Sequence, residues 1–165
     1  AELLLRKAIE LNPHFAEAHS NLGKLLKDLG NLQNAEVSTR KAIEINPNIA
    51  KSHFILGTIL RELGESQEAE LSLRKAIKIN PSFHEAHLNL GVTLKSLGKS
   101  QEAELCIRKA IEINPNYFEA HLSLGELLRD KGEINEAMIF YKKAIKIRPW
   151  SIISSYSFNY RLKSN

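Results

Sequence analysis

The 165-residue sequence predicts an all-α solenoid of stacked antiparallel helix pairs, and three observations carry that prediction. All five prolines, Pro13, Pro47, Pro81, Pro115 and Pro149, stand 34 residues apart. In each unit two leucine columns, Leu22, Leu56, Leu90, Leu124 and Leu26, Leu60, Leu94, Leu128, lie four residues apart and make one apolar face of a first helix. Two alanine columns, Ala35, Ala69, Ala103, Ala137 and Ala42, Ala76, Ala110, Ala144, lie seven residues apart, two turns along one face of a second helix.

On this grid the chain divides in order. Residues 1–15 are the second helix of a truncated preceding repeat, with Ala1, Ala8 and Pro13 in register with Ala35, Ala42 and Pro47. Four full repeats follow at 16–49, 50–83, 84–117 and 118–151. Residues 152–165 read as a C-terminal capping helix or the start of a next segment, because Asn159 stands in the glycine column and Ser155 in the histidine column. Terminal units of a solenoid depart from the pattern where one face meets water. The whole forms one repeat-array domain, and its start inside half a repeat reads as a fragment of a longer protein.

Within each unit a glycine follows the first leucine (Gly23, Gly57, Gly91, Gly125) in the middle of the first helix. Glycine there costs about 1 kcal/mol relative to alanine, so its recurrence predicts a neighbouring helix backbone too close for a side chain. A second glycine column (Gly30, Gly64, Gly98, Gly132) sits just past that helix, where a left-handed residue ends it. The second helix runs from about Gln33 to Ile45, with Ile43, Ile77, Ile111 and Ile145 supplying bulk beside the alanines. The Asn-Pro step then closes the unit, the proline opening the next helix and the asparagine capping it.

Composition excludes some classes of function and leaves others open. Hydrophobic residues make up 43% and charged residues 25%, and no apolar run approaches the ~20 residues that span a bilayer. A net charge of +4 is mildly basic and spread evenly. Cys106 is the single cysteine, so no internal disulfide is required and the cytoplasm is the default location. His19, His53, His87 and His121 recur at one position, but residues a whole helix pair apart do not converge on one metal ion, so they read as interhelix packing. His14 and His84 lie outside the column and read as surface residues.

No phosphate loop, nucleophile elbow or supported Cys/His pair is present, so no catalytic residue and no cofactor are expected. Cys106 shares a column with Ser38, Ser72 and Phe140 and reads as a tolerant outer position. The basic pairs along the second helices (Arg6-Lys7, Arg40-Lys41, Arg74-Lys75, Arg108-Lys109, Lys142-Lys143) invite a nucleic-acid reading. Glu2, Glu36, Glu70 and Glu104 precede the arginines by four residues, the order of intrahelical ion pairs, and no aromatic stacking platform accompanies them. Neither nucleic acid nor membrane is therefore expected as a partner.

The recurring Leu-Gly of the first helix, the two alanines of the second and the closing proline, all at 34 residues, resemble the tetratricopeptide repeat. Two positions depart from that pattern: histidine replaces the aromatic near the start of the first helix, and leucine (Leu26 and its equivalents) replaces the tyrosine one turn past the glycine. The resemblance implies a right-handed superhelix whose first helices line a concave surface that receives an extended peptide. Four columns on the first helix would then form the groove. They are Ser20, Phe54, Leu88, Leu122; Asn21, Ile55, Asn89, Ser123; Lys24, Thr58, Val92, Glu126; and Lys27, Arg61, Lys95, Arg129.

In this reading Asn21 and Asn89 pair with a peptide backbone, Phe54, Ile55 and Leu88 give apolar contact, and the four basic residues attract acidic groups. The sequence predicts a non-catalytic scaffold binding a protein or extended, acidic peptide. The asparagine ladder is also similar to that of O-linked N-acetylglucosamine transferases, but Ile55 and Ser123 interrupt it. That likeness supplies the alternative, a substrate-presenting arm of a larger glycosyltransferase-like enzyme. The two-carboxylate clamp of chaperone adaptors is rejected, because Ser20 with Lys24, Ile55, and Glu85 with Asn89 stand at its positions. Leu3, Leu4, Leu5 and Ile9, without a preceding helix, predict a monomer or weak self-association through terminal helices.

Overall fold

A computed structural model describes residues 1–149, so the segment read as a capping helix lies outside the described residues. Those residues form nine α-helices and no strand: α1 (Glu2–Leu11), α2 (Ala16–Asp28), α3 (Leu32–Ile45), α4 (Ala50–Glu62), α5 (Ser66–Ile79), α6 (His84–Ser96), α7 (Ser100–Ile113), α8 (Phe118–Asp130) and α9 (Ile134–Ile147). Even-numbered helices are the first helices and odd-numbered ones the second. Each first helix packs most extensively on the second helix of its own repeat, less on the preceding second helix, and lightly on the neighbouring first helices. Successive second helices do not pack on one another among the described residues. The array is an all-α repeat solenoid, closed along its first helices and splayed along its second.

The turn inside each pair is built by the second glycine column. Gly30, Gly64, Gly98 and Gly132 have φ between +76° and +86°, the left-handed region that side chains avoid. The next residue's N–H then reaches back to the last leucine of the first helix, Asn31 to Leu26 O and Glu65 to Leu60 O at 2.8 Å, closing a Schellman motif.

The Asn-Pro step works differently from the expectation. Asn12, Asn46, Asn80 and Asn114 are C-cap residues of the preceding second helices. Their Oδ1 atoms accept from the backbone N–H two residues on (His14, Asn48, Ser82, Asn116), an Asx turn. The next helix starts only after that turn, with Phe15, Ile49, Phe83 and Tyr117 at N-cap positions that make no side-chain cap bond. The proline therefore sits in the turn and not in the helix. Its carbonyl has a partner: the Nε2–H groups of His19, His53, His87 and His121 donate to Pro13, Pro47, Pro81 and Pro115 O at 2.8–3.0 Å. The histidine column ties each first helix to the turn that delivers it.

The alanine columns are the tightest part of the core, Ala35, Ala42, Ala69, Ala76, Ala103 and Ala110 all being fully buried. The first glycine column opposes them, though what presses on it is chiefly a side chain. A Cβ at Gly57 would lie 2.6 Å from Leu73 Cγ, at Gly91 2.5 Å from Ile107 Cγ1, and at Gly125 2.7 Å from the Tyr141 ring; at Gly23 it would meet Thr39 Oγ1. Backbone comes second, with the Ala35, Ala69 and Ala103 carbonyls at 3.0–3.3 Å. One residue of the second helix thus seats its side chain in each glycine notch.

Other expectations also shift. Cys106 is half-buried against the core and Phe140 is buried, so their column belongs to the seam between repeats. His84 is half-buried, edge-on to Tyr117 at 4.9 Å and 3.2 Å from Asn114 Nδ2. In α1, Leu5 and Ile9 pack on the Leu22 and Leu26 cluster, leaving Leu3, Leu4 and Leu11 exposed.

Candidate functional site

Because first helices approach one another and second helices do not, α2, α4, α6 and α8 line the inner face. Across α2, α4 and α6 this face holds an open groove of about 510 Å³. Its apolar floor is Ile55 with the tilted ring pair Phe54 and Phe83, whose centroids are 4.8 Å apart. Its walls carry Lys24, Lys27, Lys51 and Arg61 against Asp28, Glu62 and Glu85, with Thr58 and Asn89 between them.

The sequence-predicted residues divide into two groups. Lys24, Lys27, Phe54, Ile55, Thr58, Arg61 and Asn89 converge on this groove. Ser20 and Leu88 do not reach it: both are buried, Leu88 within the core cluster and Ser20 with a hydroxyl that has no partner among the described residues. A first helix is covered on one side by its own second helix and on another by neighbouring first helices, so Ser20 and Leu88 are absorbed by packing while Phe54, the bulkiest side chain of the same column, still reaches the groove. Val92, Leu122, Ser123 and Glu126 are half-buried and lie outside the groove, Val92 packing on the core.

The two asparagines are partly engaged within the chain. Asn21 is exposed and its Oδ1 accepts from Lys51 Nζ at 3.0 Å. Asn89 Nδ2–H donates to Glu85 O, one turn earlier on its own helix, at 2.8 Å. Ile55, in the same column, is buried, so the asparagine ladder is interrupted on the groove floor.

The basic column is likewise divided. Lys27 lies 3.0 Å from Asp28 and 3.7 Å from Glu62, and Lys95 and Arg129 converge on Asp130 at 2.6 and 3.0 Å. Those two cations, Lys95 first, hold the Asp130 carboxyl below its usual range. Among the described residues Lys24, Lys51 and Arg61 form no ion pair, Lys51 donating instead to the neutral Asn21 amide.

Sequence reasoning missed Lys51, Phe83 and Glu85. Phe83 belongs to the turn and not to the first helix, which is why columns drawn on the helix omit it. The signal was present, since Phe15, Ile49, Phe83 and Tyr117 make every unit apolar just before its first helix. Lys51 and Glu85 share one column with Glu17 and Glu119, a turn before Ile55 and Asn89, in which only the second repeat carries a cation.

Among the described residues no cluster of three or more His, Cys, Asp or Glu side chains is arranged to hold a metal ion. None of their helices is long and apolar enough to cross a membrane. The fold defines the class: an array of stacked antiparallel helix pairs whose inner face varies from repeat to repeat.

Models of the tetratricopeptide repeat match residues 16–49 and 84–117, and further models match 39–70 and 106–138 (tetratricopeptide repeat) and 57–98 (TPR repeat), together spanning 16–138. The chain belongs to the tetratricopeptide repeat family. No curated protein sequence matches it. Among solved structures it is similar to the crystal structure of MamA, at 28% identity and TM-score 0.79, with 90% of this chain and 86% of that one covered. It is also similar to the pilF protein of Pseudomonas aeruginosa, at 26% identity and TM-score 0.79, with 86% and 65% covered. The TPR protein TTC0263 of Thermus thermophilus, 23% identical with TM-score 0.79 over 98% and 88%, shares the fold.

Proposed function

We propose that this chain is a non-catalytic interaction scaffold whose concave face binds an extended, acidic segment of a partner protein. One observation carries the reading. In the α2–α4–α6 groove an aromatic pair, Phe54 and Phe83, lies among cations of which Lys24, Lys51 and Arg61 form no ion pair within the described residues. An apolar side chain of the ligand stacks on the rings while a neighbouring carboxylate meets Arg61, whose planar fork suits two-point recognition. The free amide hydrogens of Asn21 and the free Oδ1 of Asn89 serve the ligand backbone.

The test is fluorescence anisotropy with labelled peptides that pair an aromatic residue with acidic ones, beside a set in which lysine replaces the acids. Lys24→Ala with Arg61→Ala should weaken acidic-peptide binding about five- to tenfold and flatten its salt dependence. Equal affinity for the lysine set, or an unaltered titration in the double variant, would sink the charge component. Unchanged binding in Phe54→Ala would move the ligand elsewhere.

A further inference from the structure

Along the inner face a ladder of ion pairs joins successive first helices, and it has one gap. The basic residue near the end of a first helix reaches the last residue of the next one: Lys27 Nζ lies 3.7 Å from Glu62 and Lys95 Nζ 2.6 Å from Asp130. At the junction between those two, Arg61 has Ser96 in the place of the acid, the one neutral member of the column Asp28, Glu62, Ser96 and Asp130. Arg61 is half-buried and forms no ion pair among the described residues, while the Ser96 hydroxyl donates to Thr93 O of its own helix at 2.7 Å. The outer face has no such break. Arg40–Glu68, Arg74–Glu102 and Arg108–Glu136 recur there at 2.7–2.9 Å across successive repeats, so the gap is not a looseness of the whole stack.

The gap opens into the α2–α4–α6 groove, and no carboxylate of that groove fills it. Asp28 and Glu62 are already engaged by Lys27. Glu85 lies in the first turn of α6 and Ser96 ends the helix, roughly 16 Å apart along the axis. Lys24 and Lys51, also without an ion pair, add to the positive field around Arg61. A guanidinium that has lost part of its hydration is stabilised by an anion, and its planar fork takes a carboxylate on both oxygens.

We propose that Ser96 is the residue that sets the groove's preference for acid: it withholds the carboxylate that would neutralise Arg61, and an Asp or Glu side chain of the bound segment completes the ladder in its place. This rests on the groove reading above and adds the position at which the acid is read. The ligand carboxylate stands at the α4–α6 junction. It does not stand at α2–α4 or α6–α8, where Glu62 and Asp130 already meet Lys27 and Lys95.

Ser96→Asp tests the proposal without removing any cation. Glu62 and Asp130 occupy the same position in their repeats, so the fold accepts an acid there and the helical circular dichroism should not change. In the anisotropy titration Ser96→Asp should weaken the acidic peptide about five- to tenfold, as Arg61→Gln does, whereas Ser96→Asn should bind as the parent does. Added to Arg61→Gln, Ser96→Asp should cost less than about a further twofold, because both act on one contact. An equal loss with and without Arg61 would overturn the proposal, since the new charge would then act by general repulsion. Unchanged affinity in Ser96→Asp would overturn it too, while leaving the groove reading in place with its acid held elsewhere. A parent protein indifferent to the exchange of acid for lysine in the peptide would overturn both.

Discussion

Gly91→Ala tests the account of why a helix breaker stands inside every first helix. The added methyl would lie 2.5 Å from Ile107 Cγ1 and 3.0 Å from the Ala103 carbonyl oxygen. Carbon atoms rest about 3.5–4.0 Å apart, so Ile107 must leave its rotamer or α6 and α7 must separate by roughly 1 Å. Overpacking of this kind costs about 1–3 kcal/mol, while the better helix propensity of alanine returns about 1 kcal/mol. The expected net loss is up to about 2 kcal/mol, read as a lower urea midpoint by circular dichroism. Ile107→Ala alone should cost about 2–5 kcal/mol through the cavity it leaves. In the double variant the new methyl occupies part of that cavity, so the loss should fall short of the sum by about 1 kcal/mol or more. A Gly91→Ala protein more stable than the parent, or strictly additive variants, would refute the notch.

His87→Phe keeps the aromatic packing but removes the donor to Pro81 O, a 2.9 Å bond on a largely buried ring, so a loss of about 1 kcal/mol is expected in the same denaturation assay. Glu70 accepts from Lys99 and Arg74, and Glu104 from Lys131 and Arg108; these bonds, the lysines' first, hold both carboxyls below the usual glutamate range. Because the folded-state values are depressed, the stability they contribute is present above pH 4.5, the ordinary glutamate value, and is lost as pH falls through the depressed values. Glu70→Gln with Glu104→Gln should therefore be less stable than the parent at neutral pH and converge with it in acid, and parallel curves would contradict this.

Much of the fold is legible in single residues because it is set locally. Gly30 and its equivalents end the first helix since only glycine takes positive φ cheaply, and that requirement does not depend on what packs nearby. The histidine column shows where reading stops. Its spacing marks it as structural, but its bond to the proline carbonyl follows from a turn whose path the sequence does not state. The asparagines show the same limit: their type promises a cap or a turn, and geometry assigns them the end of one helix and an Asx turn. In the groove, Arg61 and Phe54 were legible as exposed-face columns, whereas Phe83 enters from a turn and Leu88 is withdrawn into packing.

The sequence by itself determined the repeat length, the helix pairs, the glycine turns and the alanine seam, since each depends on residue size or backbone freedom at a recurring position. Only the tertiary structure decided which of the neighbouring polar columns faces the groove and which cations are neutralised by carboxylates of the next repeat. Adjacent helix positions differ by about 100° in direction. Whether a given one meets solvent or a neighbour is set by how each first helix is rotated against the three or four others it packs on, a property of the stack that no single repeat contains.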